Sequence, residues 1–179
     1  LVVNPDRPFK TLKDIVDFAR KNPGKLDYGY TYASSGHMAM ELLRQATSTC
    51  ADMKTKTNCN PLPIVGIPYR GGGPLLTALL ANEIPMIFIN QDAALPYVAS
   101  GKIRPIAVSS LQRNPLYPTI PTVAESGYPG FQALSWAGIS APKGTPKPVM
   151  DKLEAAMIQA LQTPEVRQRI ESVGFVIPP

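Results

Sequence analysis

The chain has 179 residues, 44% hydrophobic and 17% charged, enough apolar side chain to bury a core in one large domain or two small ones. No window holds the ~18 consecutive apolar residues of a membrane span. The net charge of +5 is scattered, bunched only at "RKNPGK" and "DMKTKTN", which argues against the continuous basic face of a nucleic-acid binder while leaving small anions as partners.

"LVV" reads as a strand that opens the chain without an initiator Met, a basic leader or a cleavage site, so the sequence is expected to be cut: a signal segment removed, or a fragment. Thr11 caps a helix carrying Leu12, Ile15, Val16 and Ala19 at helical spacing, and "NPGK" stops it. "KLDYGYT" is then a strand. It runs into "SSGHMAMELLRQA", a helix whose first residues are small and bare. The Ser34 and Ser35 hydroxyls suit the orphan N–H groups of a helix start, and Gly36 leaves the backbone open to approach.

His37, the chain's one histidine, stands four residues before Glu41, so the two are expected to pair on one helical face. Cys50 and Cys59 then flank a polar insert, "ADMKTKTN". Two cysteines so close in a surface loop suit a disulfide in an oxidising compartment better than a metal site, which needs more ligands than one distant histidine. Two free thiols in a cytosolic protein are the alternative.

"PIVGIPY" is β-rich, and "GGGPLLTALLANE" starts a helix with Leu76, Leu79 and Leu80 on its buried face. "IPMIFIN" reads as a strand, "QDAALPYVASG" as a short helix closed by Gly101, and "KIRPIAVSS" as a further strand. From Leu111 the Pro- and Gly-rich run "QRNPLYPTIPTVAESGYPGF" breaks regular structure and reads as a crossover to a second body. "FQALSWAGISAP" is expected to be a strand. "KPVMDKLEAAMIQALQ" follows as a helix with Val149, Met150, Leu153, Ala156, Met157, Ala160 and Leu161 on one face, and a last helix runs from Thr163 to near Gly174.

Alternating strands and helices predict a mainly parallel sheet with helices on both faces, whose ligand edge is the carboxyl end of the strands. Three bare junctions fall there: Ser34 to His37, Tyr69 to Gly73 with Arg70 and Gly71, and Asn90 to Asp92. Converging helix starts suit an anion. "RGGGPLL" lacks the Gly-Lys-Ser/Thr ending that grips nucleotide phosphates, so a carboxylate is the better ligand. No Gly-x-Ser-x-Gly elbow or carboxylate pair supports catalysis, and neither a metal nor a cofactor is expected. Arg70 is a candidate to neutralise the anion and Trp136 to wall the cleft.

"VVNPDRPFKTLKDIVDFARKNPGKLDYG", "SSGHMAMEL", "IPYRGGGPLLTALL", "ALPYVASGKIRPIAVSS", "RNPLYPTIPTVAESGYPGF" and "SWAGISAPKGTPKPVMDKL" resemble the solute receptors of tripartite tricarboxylate transporters, the Bug family. The resemblance runs nearly end to end and breaks at the cysteine insert. It implies a periplasmic, two-lobed receptor of the type II periplasmic binding-protein class with Rossmann-like, mainly parallel sheets. Such a receptor closes on a small carboxylate (a dicarboxylate, aromatic carboxylate or amino acid) and delivers it, as a monomer, to membrane permease subunits.

By that comparison residues 1–107 form the complete second lobe and residues 108–179 the carboxyl-terminal part of the first, whose amino-terminal part is missing. The family's contacts fall on Ser34, Ser35 and His37, on Arg70 and Gly71, and near Asn90. An acidic residue is common in the family where Ile89 stands, and a small one where Met40 stands, so Asp92 is expected to take over a polar role. The other reading is the ligand-sensing effector domain of a transcription regulator of similar fold, and a more distant one an esterase using Ser34 or Ser35 with His37.

Overall fold

Local chemistry sets the helix boundaries in the computed structural model, which describes residues 1–52 and 57–177 and no side chain from residue 50 to 58. After β1 (Val2–Val3), α1 (Leu12–Lys21) opens on Thr11, whose Oγ1 accepts from the Asp14 N–H while Asp14 Oδ2 accepts from the Thr11 N–H. Two orphan groups are thus satisfied reciprocally. Leu12, Ile15, Val16 and Ala19 are buried, as their spacing predicts.

The chain continues through β2 (Asp27–Thr31), α2 (Ser35–Ala46), β3 (Thr49–Asp52), β4 (Thr57–Asn60), β5 (Val65–Tyr69), α3 (Gly72–Leu80), β6 (Met86–Ile87), α4 (Gln91–Ala99) and β7 (Arg104–Pro105). Five strands form one sheet in the order β5-β2-β6-β1-β7. β2 is parallel to β5 and β6, while β1 runs antiparallel between β6 and β7, so the sheet is mixed around a parallel majority. One core joins Leu12 and Ile15 of α1 to Met40 and Leu43 of α2 and Tyr28 of β2. A second joins Leu75 and Leu79 of α3 to Ala94 of α4 and Ile87 of β6. Arg104 donates to the carbonyls of Pro5, Arg7 and Phe9 and so fixes the loop between β1 and α1.

Several elements differ from expectation. The strands expected at 84–90 and 102–110 shrink to two residues each, because Pro85 and Pro105 bring no N–H to a ladder. On α3 the buried residues are Leu75, Ala78 and Leu79, with Leu76 and Leu80 only partly covered. The cysteine insert is not a bare loop: β3 and β4 form an antiparallel ribbon with Cys50 directly opposite Cys59. The Cys50 side chain lies outside the described residues. Residues 131–142 form no strand, and Leu134 and Ile139 there are exposed, so no sheet face recruits them.

The chain divides into two compact units, Leu1–Ser135 and Trp136–Pro179. Thr122, Val123 and Phe131, beyond residue 107, are buried within the first unit. The second consists of α5 (Lys147–Gln162) and α6 (Pro164–Ser172), of which no residue is buried. Val149, Met150 and Leu153 of the expected apolar face remain exposed, and so does Trp136.

Candidate ligand-binding site

β5, β2 and β6 are neighbours, point the same way, and each runs within a few residues into a helix: α3, α2 and α4 respectively. Parallel strands place their carboxyl ends on one edge, so the three helix starts share that edge of the sheet. Their unsatisfied N–H groups and partial positive charge favour an anion there.

At the start of α2, Ser34 Oγ accepts from the His37 N–H at 3.1 Å and is consumed as the cap. Ser35 is the exposed hydroxyl; its Oγ lies 3.4 Å from Asn90 Oδ1, the N-cap residue of α4, and 3.4 Å from Ser135 Oγ. Gly36 has a different role from the one its type suggests. A Cβ there would meet the Phe88 carbonyl oxygen at 2.5 Å, so it is glycine that lets α2 pack on the chain leaving β6.

The open backbone is at α3. A Cβ on Gly71, Gly72 or Gly73 would meet nothing within 4 Å, and N-cap Gly71 makes no side-chain cap. Arg70, immediately before it, is exposed, as are Asn90 and Asp92 at the start of α4. Gln91, the first residue of α4, accepts at Oε1 from Asn114 Nδ2, while its Nε2 is buried without a partner among the described residues.

His37 does not pair with Glu41. Its ring stacks on Tyr30 at 4.1 Å between centroids and 18° between planes, and its Nδ1 is buried with no partner among the described residues. Glu41 is held instead by Tyr28, whose hydroxyl donates at 2.5 Å, and by Arg44, which donates to both carboxylate oxygens at 2.9 and 3.0 Å. Partial burial opposes the Glu41 charge, but the bonds from Tyr28 and Arg44 outweigh it and hold the carboxyl below its ordinary pKa. Burial, and then the neighbouring carboxylate, push the Tyr28 hydroxyl well above the usual tyrosine range. Met40 is buried in the core, and Ile89 is partly buried beside the second core.

Sequence reasoning missed Tyr30, Tyr32 and Gln91. The period-two run Tyr28, Tyr30, Tyr32 was the available signal for the first two. Among the described residues no group of three His, Cys, Asp or Glu is placed to hold a metal, and no helix is long and apolar enough to cross a membrane.

A model of the "Tripartite tricarboxylate transporter family receptor" family matches residues 1–177. The chain belongs to that family. That membership agrees with the resemblance read in the sequence. A "UPF0065 protein in tcbD-tcbE intergenic region" of Pseudomonas sp. strain P51 is 32% identical over 98% of this chain and 49% of its own length. BugT of Bordetella pertussis is 30% identical over 97% of this chain and 50% of its own.

Among solved structures, R. palustris Rpa4515 with adipate superposes with a TM-score of 0.85 at 29% identity, covering 97% of this chain and 54% of that one. MatC from Rhodopseudomonas palustris with bound malate gives a TM-score of 0.82 at 28% identity, covering 99% and 56%. The mixed α/β fold is therefore that of the family's periplasmic binding proteins. The chain spans about half the length of the relatives it matches.

Proposed function

We propose that this chain is part of a periplasmic receptor that captures a small carboxylate and delivers it to the membrane subunits of a tripartite tricarboxylate-type transporter, without catalysis. The observation that carries the reading is the convergence of α2, α3 and α4 starts on one sheet edge, with three unobstructed glycines at α3. The carboxylate is held by N–H groups of Gly72 and Gly73, by the Ser35 hydroxyl and by the positive charge of Arg70. His37 positions donors and Asn90 and Asp92 shape the α4 side. Residues 1–107 supply one lobe and residues 108–179 part of the other, in a monomer that closes on its solute. The cross-strand Cys50 and Cys59 form a disulfide, in keeping with an oxidising compartment: directly opposed strand residues have Cα atoms within the range a disulfide spans.

The test is a thermal-shift screen of the intact receptor against malate, adipate, aromatic carboxylates, amino acids and nicotinate-like acids, followed by calorimetry on the hits. A ligand at about 100 times its dissociation constant stabilises by roughly 2.7 kcal/mol, which a melting curve resolves. Arg70→Ala and Gly72→Val should weaken the hit. A receptor that melts unchanged with every carboxylate, or binds equally well in both variants, overturns the reading.

A further inference from the structure

Tyr32 is 80% exposed although it follows a β-strand and precedes the start of α2. Its ring ends a ladder: Tyr28 lies 5.7 Å from Tyr30, Tyr30 stacks on His37 at 4.1 Å, and Tyr32 lies 5.9 Å from His37. The turn that presents it closes by a 3.1 Å bond from the Ser34 N–H to the Thr31 carbonyl and holds Ala33 at φ 56°, the left-handed region that favours glycine. Strain of this kind gathers where a side chain must be aimed. Within the ladder the His37 Nδ1 is buried with no partner among the described residues, a polar atom left unsatisfied beside the ring that Tyr32 approaches.

We propose that Tyr32 is a specificity-determining residue of this site, an aromatic wall that selects carboxylates carrying a planar ring over aliphatic ones. The inference rests on the carboxylate-binding reading and deepens it. With its charge on the helix starts, a benzoate-type acid extends the ladder by one ring. Offset or edge-on ring pairs gain beyond contact area, by several-fold to about tenfold in affinity. A saturated ring of the same size gains contact only.

Calorimetry on the intact receptor compares benzoate with cyclohexanecarboxylate and phenylacetate with cyclohexylacetate, with adipate as the aliphatic control. The expected result is a several-fold preference for each aromatic partner, erased in Tyr32→Ala and Tyr32→Leu and kept in Tyr32→Phe, with adipate affinity changed less than about twofold. Tyr32→Leu keeps apolar bulk without a ring, so lost fold and lost stacking are told apart by its melting curve. Equal affinities within the matched pairs, or a preference that survives Tyr32→Leu, overturn the role of Tyr32. In that case adipate or any of the acids binding leaves the carboxylate reading standing, whereas no binding of all five acids overturns the role of Tyr32, and the carboxylate reading falls with it when malate, amino acids and nicotinate-like acids fail as well.

Discussion

The starts of α2 and α3 look alike in sequence, "SSGH" and "RGGGP", and sit on adjacent parallel strands at the same edge. Around α2 two of the three small residues are committed to the fold: Ser34 caps the helix and Gly36 makes room for the Phe88 carbonyl, while Ser35 stays exposed. Around α3 nothing is committed, since Gly71 has no capping side chain and a Cβ on Gly71, Gly72 or Gly73 would meet only open space. The difference teaches that a bare helix start has two physical meanings, close packing of backbone on backbone and access for a ligand. Only the surroundings tell which applies.

The largest effect should separate the two. Gly36→Val puts a branched side chain against an immovable carbonyl oxygen 2.5 Å from its Cβ, and should cost about 3 kcal/mol of stability. Gly72→Val meets nothing and should change urea-unfolding stability by less than about 0.5 kcal/mol while weakening carboxylate binding. A stable Gly36→Val with impaired binding only would reverse the assignment of the two starts.

Nearly as large is the expected effect at the far end of α2, where the ribbon carries Cys50 opposite Cys59. Thiol titration of the denatured, unreduced protein should find no free thiol, and reduction should lower stability by about 2.5 to 3 kcal/mol on the chain-entropy account. Two reactive thiols would refute the bond.

In its middle, α2 is anchored by the Tyr28 hydroxyl on Glu41, whereas α3 is tied near its end, where the Asn4 amide Nδ2 donates to the Leu79 carbonyl at 2.8 Å. Tyr28→Phe should cost about 1.5 kcal/mol, the lower range for a bond to a charged group, since Glu41 is partly exposed. The linkage has a sign at each end of the pH scale. Glu41 is held below its ordinary pKa, so its contribution is present above that value and lost as pH falls through the folded one. Tyr28 is raised, so its contribution is complete below the ordinary tyrosine pKa and lost as pH rises through the folded one. Denaturation curves against pH should show that alkaline loss disappear in Tyr28→Phe.

The smallest pair tests capping. Ser34→Ala removes the acceptor of the His37 N–H and should cost about 1 kcal/mol. Gly71→Ser supplies α3 with a cap it does not have, at extended backbone with free space around the Cβ, and should gain a few tenths of a kcal/mol. A Gly71→Ser that destabilises would show the α3 start to be as tightly committed as that of α2.

Much of this was legible in the residues. Thr11 and Asp14, Ser34, and the spacing of Leu12, Ile15, Val16 and Ala19 act within one turn or along one helix, so α1 and α2 begin as read and α1 buries the face its spacing marks. The alternation of strands and helices likewise placed the junctions on one edge, because parallel connections leave little choice. The strand expected over 131–142 failed because strands need a partner, and apolar spacing does not say whether one exists. Glu41 was assigned to His37 by helical spacing, but Tyr28, on another element, and Arg44, one turn on, hold it.

By itself, then, the sequence determined the caps, the helical faces, the strand-to-helix order and the family, all carried by interactions between residues close along the chain or by motif. Tertiary structure alone decided that Gly36 is a packing glycine and Gly72 an open one, that Ser34 is spent and Ser35 is exposed, and that Tyr32 ends a ring ladder with its own ring exposed. Those outcomes depend on where Phe88, Asn90 and His37 arrive in space, and the approach of distant segments leaves no mark on local sequence.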